Sequence, residues 1–511
     1  MSDGVKLYTQ ILLPEENKKL PIIFMRTPYA TPLNGAPCPP EQFLKNNFFK
    51  IALENGYAIL YQHVRGHGDS EGDCVPYIER QDGLDSLEII RKLPFYNGEI
   101  YLRGGSYGAT VHLCYLETNP SDVKAASLDI QTDRVYYKNY RNGCCYDFCN
   151  AKWWAYMLKN RYPKHLSDPK SIVYADILKR PYEKIMERLV GEDVPEYTVM
   201  LLNETYNDFW INGENTYAAD NLKIPTLFGE GWYDFYVDGM FSMWERLPEE
   251  TRKKSAFLVG PWGHGTCRTD ATEHPLPNSQ IPVDYIIAFF NSIRDNTPYT
   301  QFELGKTNYY SIGGGRWTTQ TEEKGKFKLY FNGDNTMSAK PICTGEMHYI
   351  YDPEKPLGYY KRLNIFKQGE PVDGVVSFTS APFEEDISFF GKIAWHMKVR
   401  SSCDDTAFFM RVYMVEDGES YNLTDTITSL SYLNENYAAG EACLIDIVTP
   451  QIGFTIKKGN AIRVDISSHS DIYVPHANVK GHWAKVTETK VATNTLICDE
   501  DAYIELSVCS D

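Results

Sequence analysis

Leu102-Arg103-Gly104-Gly105-Ser106-Tyr107-Gly108-Ala109 is the stretch on which the reading of the whole chain turns. An apolar, strand-like run from Glu99 to Leu102 enters it and a helix-like run from Thr110 to Glu117 leaves it, so Gly104-x-Ser106-x-Gly108 falls at a strand-to-helix turn. Glycine at both flanks removes the side chains that would collide where a strand reverses into a helix. Ser106 can then adopt strained dihedrals and project its hydroxyl above the sheet edge, which is the geometry of a nucleophile elbow. The flanking strand and helix carry this reading, because a Gly-Ser-Gly turn alone is common.

Working outward, Leu20 to Thr27 and Tyr57 to Arg65 read as buried strands, Arg80 to Leu93 as a helix with Leu84, Leu87 and Ile90 at helical spacing, and Val123 to Ile130 as another strand. Strands alternating with helices imply a parallel sheet covered on both faces. From about Gln131 to Asn221 the rhythm changes to helical spacing dense in aromatics, read as a helical cap that roofs a site. Sheet rhythm returns with Ile224 to Phe228, a helix at Phe241 to Leu247, the strand Ser255 to Val259 and a helix at Ile281 to Arg294. Beyond Asn296 short alternating segments such as Phe408 to Val415 and Ala461 to Ile466, divided by turn residues, read as an antiparallel β-sandwich. The expected organisation is a discontinuous α/β-hydrolase domain over 1–130 and 222–296, a cap over 131–221 and a sandwich over 297–511.

A chain of 511 residues suggests about three domains at roughly 150 residues each. The net charge of −17 argues against a nucleic-acid or anionic-membrane surface, which needs clustered Lys and Arg. No basic segment followed by an apolar run opens the sequence and no run approaches the ~18 apolar residues of a spanning helix, so a cytoplasmic protein is expected. The cysteines lack a disulfide rhythm, and the cluster of Cys144, Cys145 and Cys149 lacks the partners of a metal site. His63 and His67 have poor ligand spacing and read as loop packing.

A serine hydroxyl needs an adjacent imidazole base, itself held by a carboxylate. In this strand-helix arrangement the chain order is Ser, acid, His, with acid and His on loops after later strands. Asp234 follows one strand in Gly231-Trp232-Tyr233-Asp234, and His264 follows the next in Gly260-Pro261-Trp262-Gly263-His264. Singly, Asp234 reads equally as a helix cap and His264 as a loop histidine; with Ser106, in order and each after a strand, they read as a triad. The backbone N–H of Tyr107 is an oxyanion donor by position. The phenol of Tyr29, after the first clear strand, is the candidate for the second, with an ordinary turn tyrosine as the alternative.

These stretches resemble a known family. Arg26-Thr27-Pro28-Tyr29, Val64 to Gly72, Gly104 to Gly108, Gly231 to Asp234, Gly260 to His264 and Phe454 to Ser468 are similar, in combination and order, to the signature blocks of the cocaine esterase and X-Pro dipeptidyl-peptidase superfamily. The resemblance implies an α/β-hydrolase core, a helical cap and a jelly-roll third domain, with neither metal nor organic cofactor. It also implies Ser106 as nucleophile, Asp234 as acid, His264 as base, and Tyr29 with the Tyr107 amide as oxyanion donors; the role of Tyr29 rests mostly on it.

Members that prefer α-amino-acid esters carry a carboxylate pair two and three residues after the acid. Here those positions are Tyr236 and Val237. A neutral or aromatic acyl group is therefore expected in place of a free α-amine, with Phe235, Tyr236 and the cap's Trp153 or Trp154 as walls; tryptophan at helical spacing is otherwise core. The expected function is a serine hydrolase cleaving a small ester or short peptide through an acyl-enzyme, compatible with a homo-oligomer. The alternatives are an X-Pro dipeptidyl aminopeptidase, for whose acidic anchor Glu230, Asp129 and Asp133 are the conceivable residues, and a non-catalytic carbohydrate- or protein-binding module.

Overall fold

Near-continuous apolar runs make strands that must be covered on both faces, and the first half of the chain is built from them. The computed structural model describes residues 1–16, 18–29, 43–158, 161, 179–265, 272–355 and 364–510. In chain order come β1 (Thr9–Leu12), β2 (Leu20–Thr27), α1 (Asn47–Glu54), β3 (Ala58–His63), α2 (Arg80–Ile90), β4 (Tyr96–Gly105), α3 (Tyr107–Leu116) and β5 (Val123–Asp129). Short helices follow, among them α4 (Tyr136–Asn139), α5 (Ala151–Met157), α6 (Ile185–Val190) and α7 (Pro195–Leu201). The alternation resumes with β6 (Thr226–Gly231), α8 (Val237–Arg246), β7 (Ala256–Gly260) and α9 (Tyr285–Arg294), and β8 (Thr307–Ser311) and β9 (Arg316–Thr319) close the series.

These strands form one nine-stranded sheet in the order β1-β3-β2-β4-β5-β6-β7-β8-β9. From β3 to β8 every neighbouring pair is parallel, while β1 and β9 pair antiparallel at the two edges. The chain builds outward from β2 to β3, then crosses back over β2 to β4. Such a reversal opens a crevice at the carboxyl ends of the strands, where open α/β sheets receive their ligands. Tyr29 follows β2 and Ser106 follows β4, so the topology alone puts both residues beside that crevice. Helix α3 is buried along its whole length, as its uniformly apolar sequence requires.

The sheet does not stop near residue 296. Strand β8 adds in parallel to β7, from Thr307 opposite Phe257 to Tyr309 opposite Val259, and β9 folds back on it, so the first sheet runs to Thr319. β8 reads Thr-Asn-Tyr-Tyr-Ser, without alternation, and is buried throughout, inside the α/β layer.

The remainder is an all-β domain whose strands are almost all antiparallel. Alternate residues of Ala394–Ser401 and Cys443–Val448 are buried, the period-two pattern of strands with one face on a core. That core is continuous with the α/β domain: Phe390 packs on Tyr309 at 4.6 Å and on Phe241 at 6.3 Å. The helical segment has a second core of Trp154, Tyr182, Ile185, Tyr197 and Trp210, which Val474 and Ala484 of the all-β domain complete. Among the described residues no helix is long and apolar enough to cross a membrane.

Candidate active site

Ser106 adopts φ +54° and ψ −131°, a conformation that costs a non-glycine residue roughly 1–3 kcal/mol. Its surroundings leave it no other choice. Its N–H donates to the Asp129 carbonyl at 3.0 Å, fixing the entry to β5, and its carbonyl accepts from the Ala109 N–H at 2.8 Å, fixing the exit into α3. The reversal is so tight that a Cβ on Gly104 would lie 2.1 Å from the Gly108 carbonyl oxygen. Glycine is therefore required at 104 by close approach, and the serine carries the strain.

The acid and the imidazole arrive on two loops that hold each other. Trp232 N–H donates to the Gly260 carbonyl at 3.0 Å and Tyr233 N–H to the Trp262 carbonyl at 3.1 Å, so the turn after β6 is bonded to the turn after β7. Asp234 at the end of the first turn is wholly buried; its Oδ1 accepts from the Tyr236 N–H at 2.9 Å and its Oδ2 lies 2.7 Å from His264 Nδ1. His264 Nε2 lies 3.0 Å from Ser106 Oγ. A carboxylate at Nδ1 keeps the proton on that nitrogen and leaves the Nε2 lone pair facing the hydroxyl. Phe235 stacks on the imidazole at 4.7 Å, with the planes 20° apart, and Tyr236 lies at 5.8 Å.

The opposite wall is aromatic. Tyr29 is 37 % exposed overall, but its phenol end is enclosed. Burial pushes that phenol above the usual tyrosine range, partly offset by hydrogen bonding with the Ser106 hydroxyl, Trp153 and the Tyr107 backbone. Trp153 rests on Tyr107 at 5.1 Å and on Tyr77 at 5.9 Å. Trp154 turns the other way: it is buried against Tyr197 at 5.8 Å in the helical core and borders a separate cavity of about 570 Å³ with Met200 and Trp210. Of the two tryptophans only Trp153 joins the serine.

Two buried ionisable groups complete the surroundings. Lys138, on α4, is 3 % exposed and donates to the Tyr77 hydroxyl. Its Nζ lies 4.9 Å from the ring centre of Trp153, 5.1 Å from that of Tyr77 and 5.8 Å from that of Tyr236. Beneath the elbow, Glu79 accepts from Arg26 at 3.1 Å and from the Tyr107 hydroxyl at 3.1 Å, while Tyr107 accepts from the Tyr77 N–H at 2.9 Å. Burial pushes Glu79 up to about 7, outweighing the attraction of Arg26. Neither group belongs to a motif, and no sequence signal points to it. Among the described residues no cluster of three or more His, Cys, Asp or Glu is placed to share a metal ion.

The family model for X-Pro dipeptidyl-peptidase (S15 family) matches residues 3–266, more than half of the chain, and that for the X-Pro dipeptidyl-peptidase C-terminal non-catalytic domain matches residues 291–504. The chain belongs to the S15 family. This S15 chain is 21 % identical over 495 residues to cocaine esterase of Rhodococcus sp. (strain MB1 Bresler), covering 84 % of its own length and 82 % of the relative. In fold it is similar to an aminopeptidase from a marine sediment Thaumarchaeota archaeon, with a TM-score of 0.81, 19 % identity, and coverage of 100 % and 95 % of the two chains. It is equally similar to an α-amino acid ester hydrolase, with a TM-score of 0.80, 20 % identity and the same coverage. S15 relatives thus include hydrolases of esters and of peptides, on an α/β-hydrolase core with a C-terminal all-β domain.

The acids considered as anchors for a substrate ammonium are paired or sealed in this S15 chain. Asp129 pairs with Arg103 at 2.5 Å and Asp133 with Arg246 at 2.5 Å. Glu230 is wholly buried, accepts from the Gly231 N–H at 2.7 Å, and is pushed well above the carboxylate range by burial and the neighbouring Asp234. His63 and His67 are buried too, with His67 Nδ1 3.1 Å from the Arg65 carbonyl.

Two outcomes follow from this geometry. Gly104→Ala is expected to cost ~1–3 kcal/mol or more, read as a fall in melting midpoint, whereas Gly105→Ala, whose Cβ would meet nothing closer than 4.0 Å, is expected to leave the midpoint near wild type. Glu79 binds its proton more tightly in the folded protein (about 7) than the ordinary value of 4.5, so its stabilising contribution is complete below about pH 4.5 and is lost as pH rises through about 7. In urea denaturation the neutral Glu79→Gln is expected to gain on wild type by on the order of 3 kcal/mol between those limits; parallel stability curves would show the carboxyl ionised throughout.

Proposed function

We propose that the protein is a serine hydrolase of carboxylic esters or amides that works through an acyl-enzyme, with Ser106, His264 and Asp234 as its triad. The observation that carries this reading is the unbroken chain from Ser106 Oγ to His264 Nε2 at 3.0 Å and from His264 Nδ1 to Asp234 at 2.7 Å, with the serine held at positive φ.

As Ser106 Oγ attacks the substrate carbonyl carbon, His264 Nε2 takes its proton and the carbonyl oxygen becomes an oxyanion. Asp234 stabilises the imidazolium and keeps the ring oriented, without taking the proton itself. The Tyr29 hydroxyl and the Tyr107 N–H donate to the oxyanion; a phenol with a raised pKa stays protonated and remains a donor at neutral pH. The bond to the leaving alcohol or amine then breaks, and His264 gives it the proton. Water enters, loses a proton to His264 and attacks the acyl carbon. Ser106 leaves with that proton, and the carboxylic acid is released.

The acyl group is expected to lack a free α-amine, because Asp129 and Asp133 are paired to arginines, Glu230 is sealed in, and the wall beside His264 is Phe235 and Tyr236. This favours esterase or acylase activity over release of X-Pro dipeptides.

Ser106→Ala should lower ester turnover by about 10⁴-fold or more and abolish labelling by a fluorophosphonate; wild-type rates in this variant would remove the nucleophile assignment. Tyr29→Phe should lower kcat by about 10²–10³-fold with little change in KM, and an unchanged kcat would leave the Tyr107 amide without its proposed companion. A short aryl ester should be cleaved in clear preference to an Ala-Pro 4-nitroanilide, the reverse order favouring the aminopeptidase reading.

A further inference from the structure

Lys138 is out of place by every ordinary rule for lysine, which is rarely buried without a charged partner. Its ammonium carries three donors, and among the described residues its one hydrogen-bond acceptor is the Tyr77 hydroxyl. No Asp or Glu forms an ion pair with it, again among the described residues. Its other neighbours are the faces of Tyr77, Trp153 and Tyr236. The phenols of Tyr77 and Tyr236 are both held far above the usual range by burial, so neither supplies a negative charge at neutral pH.

Two of the three rings around the ammonium, Trp153 and Tyr236, border the reacting groups. Trp153 lies on Tyr107 and hydrogen-bonds with Tyr29, beside the oxyanion position; Tyr236 lies 5.8 Å from the His264 ring and donates its N–H to Asp234. Lys138 therefore stands at the seam between the two walls, against the rings that border the reacting groups. A buried cation costs stability unless an anion meets it, and aromatic faces supply only part of that compensation. Burial pushes Lys138 down to about 7, with Cys149 offsetting part of it.

We propose that Lys138 is the specificity-determining residue of this site, a cation held in an aromatic enclosure for an acyl group that ends in its own carboxylate. The preferred substrates are then half-esters or half-amides of dicarboxylic acids. This deepens the hydrolase reading and rests on it, since the acyl side is defined by Ser106.

The test compares isosteric acyl groups. Mono-4-nitrophenyl adipate and 4-nitrophenyl 6-methylheptanoate differ in a carboxylate against an isopropyl end, and glutarate and pimelate half-esters cover shorter and longer reach. Wild type is expected to prefer a half-ester over its neutral isostere by about 10- to 100-fold in kcat/KM, the range of a charge-assisted hydrogen bond, mostly through KM. In Lys138→Met that ratio should collapse towards one. A wild-type ratio at or below one for all three chain lengths, or a ratio unmoved by Lys138→Met, overturns the proposal.

A second measurement needs neither turnover nor a change at 138. Calorimetric titration of the Ser106→Ala protein with monomethyl adipate and with dimethyl adipate should show binding of the acid in clear preference to the diester, and equal or reversed affinities overturn the proposal. Failure to cleave any of the aryl esters would instead sink the hydrolase reading, with the calorimetry still deciding the role of Lys138.

Discussion

Everything at the site depends on one backbone conformation, the left-handed turn at Ser106. It is unfavourable in isolation, so its persistence has to come from the neighbours that over-determine it. Part of that is steric, with Gly104 letting the strand end and the helix start pass closer than any side chain allows. The rest is electrostatic. The next residue, Tyr107, reaches down to Glu79, which is held in turn by Arg26 from β2. Hydrogen bonds to charged groups are worth about 1.5–3 kcal/mol each, the same order as the strain, so this buried set is large enough to hold the elbow in shape.

The parts of this arrangement visible in the sequence are those whose cause is local. The turn at Gly104 to Gly108 announces itself because close approach demands glycine within four residues, and Asp234 and His264 because each follows an apolar run at a strand's carboxyl end. The strand Leu20–Thr27 is legible for the same reason, being buried on both faces and bounded by Pro28. What stayed hidden is set by distant partners. Lys138 lies in a tyrosine-rich stretch with no motif, and its enclosure is assembled from Tyr77, Trp153 and Tyr236, each on a different segment. Trp153 and Trp154 are adjacent in sequence, and only the orientation of α5 decides which of them meets the serine. Strand β8, Thr-Asn-Tyr-Tyr-Ser, has neither an apolar run nor alternation, so nothing local says that it joins the sheet that precedes it.

The electrostatics of the protein work at two scales that oppose each other. The chain as a whole is strongly acidic, with a net charge of −17, while the aromatic wall of the site conceals a lysine and keeps its acids paired or sealed. At physiological salt the distant charges are screened over about 8 Å, so what a bound molecule feels is set by the enclosure around it. Long-range attraction contributes little to selection here; discrimination has to be made after entry, by groups in contact.

The turn bearing Asp234 is not supported by its own layer alone. The indole of Trp232 donates to the Tyr310 carbonyl at 2.8 Å, and the Tyr233 hydroxyl reaches across to the Asn422 carbonyl of the all-β domain at 2.9 Å. The C-terminal half thus acts as a jig for the carboxylate, and the tuning of the imidazole is shared between two bodies joined by one apolar seam. A small molecule or a substitution wedged into that seam would shift Asp234, and with it the imidazole it holds, from a distance, while leaving the aromatic wall as it was.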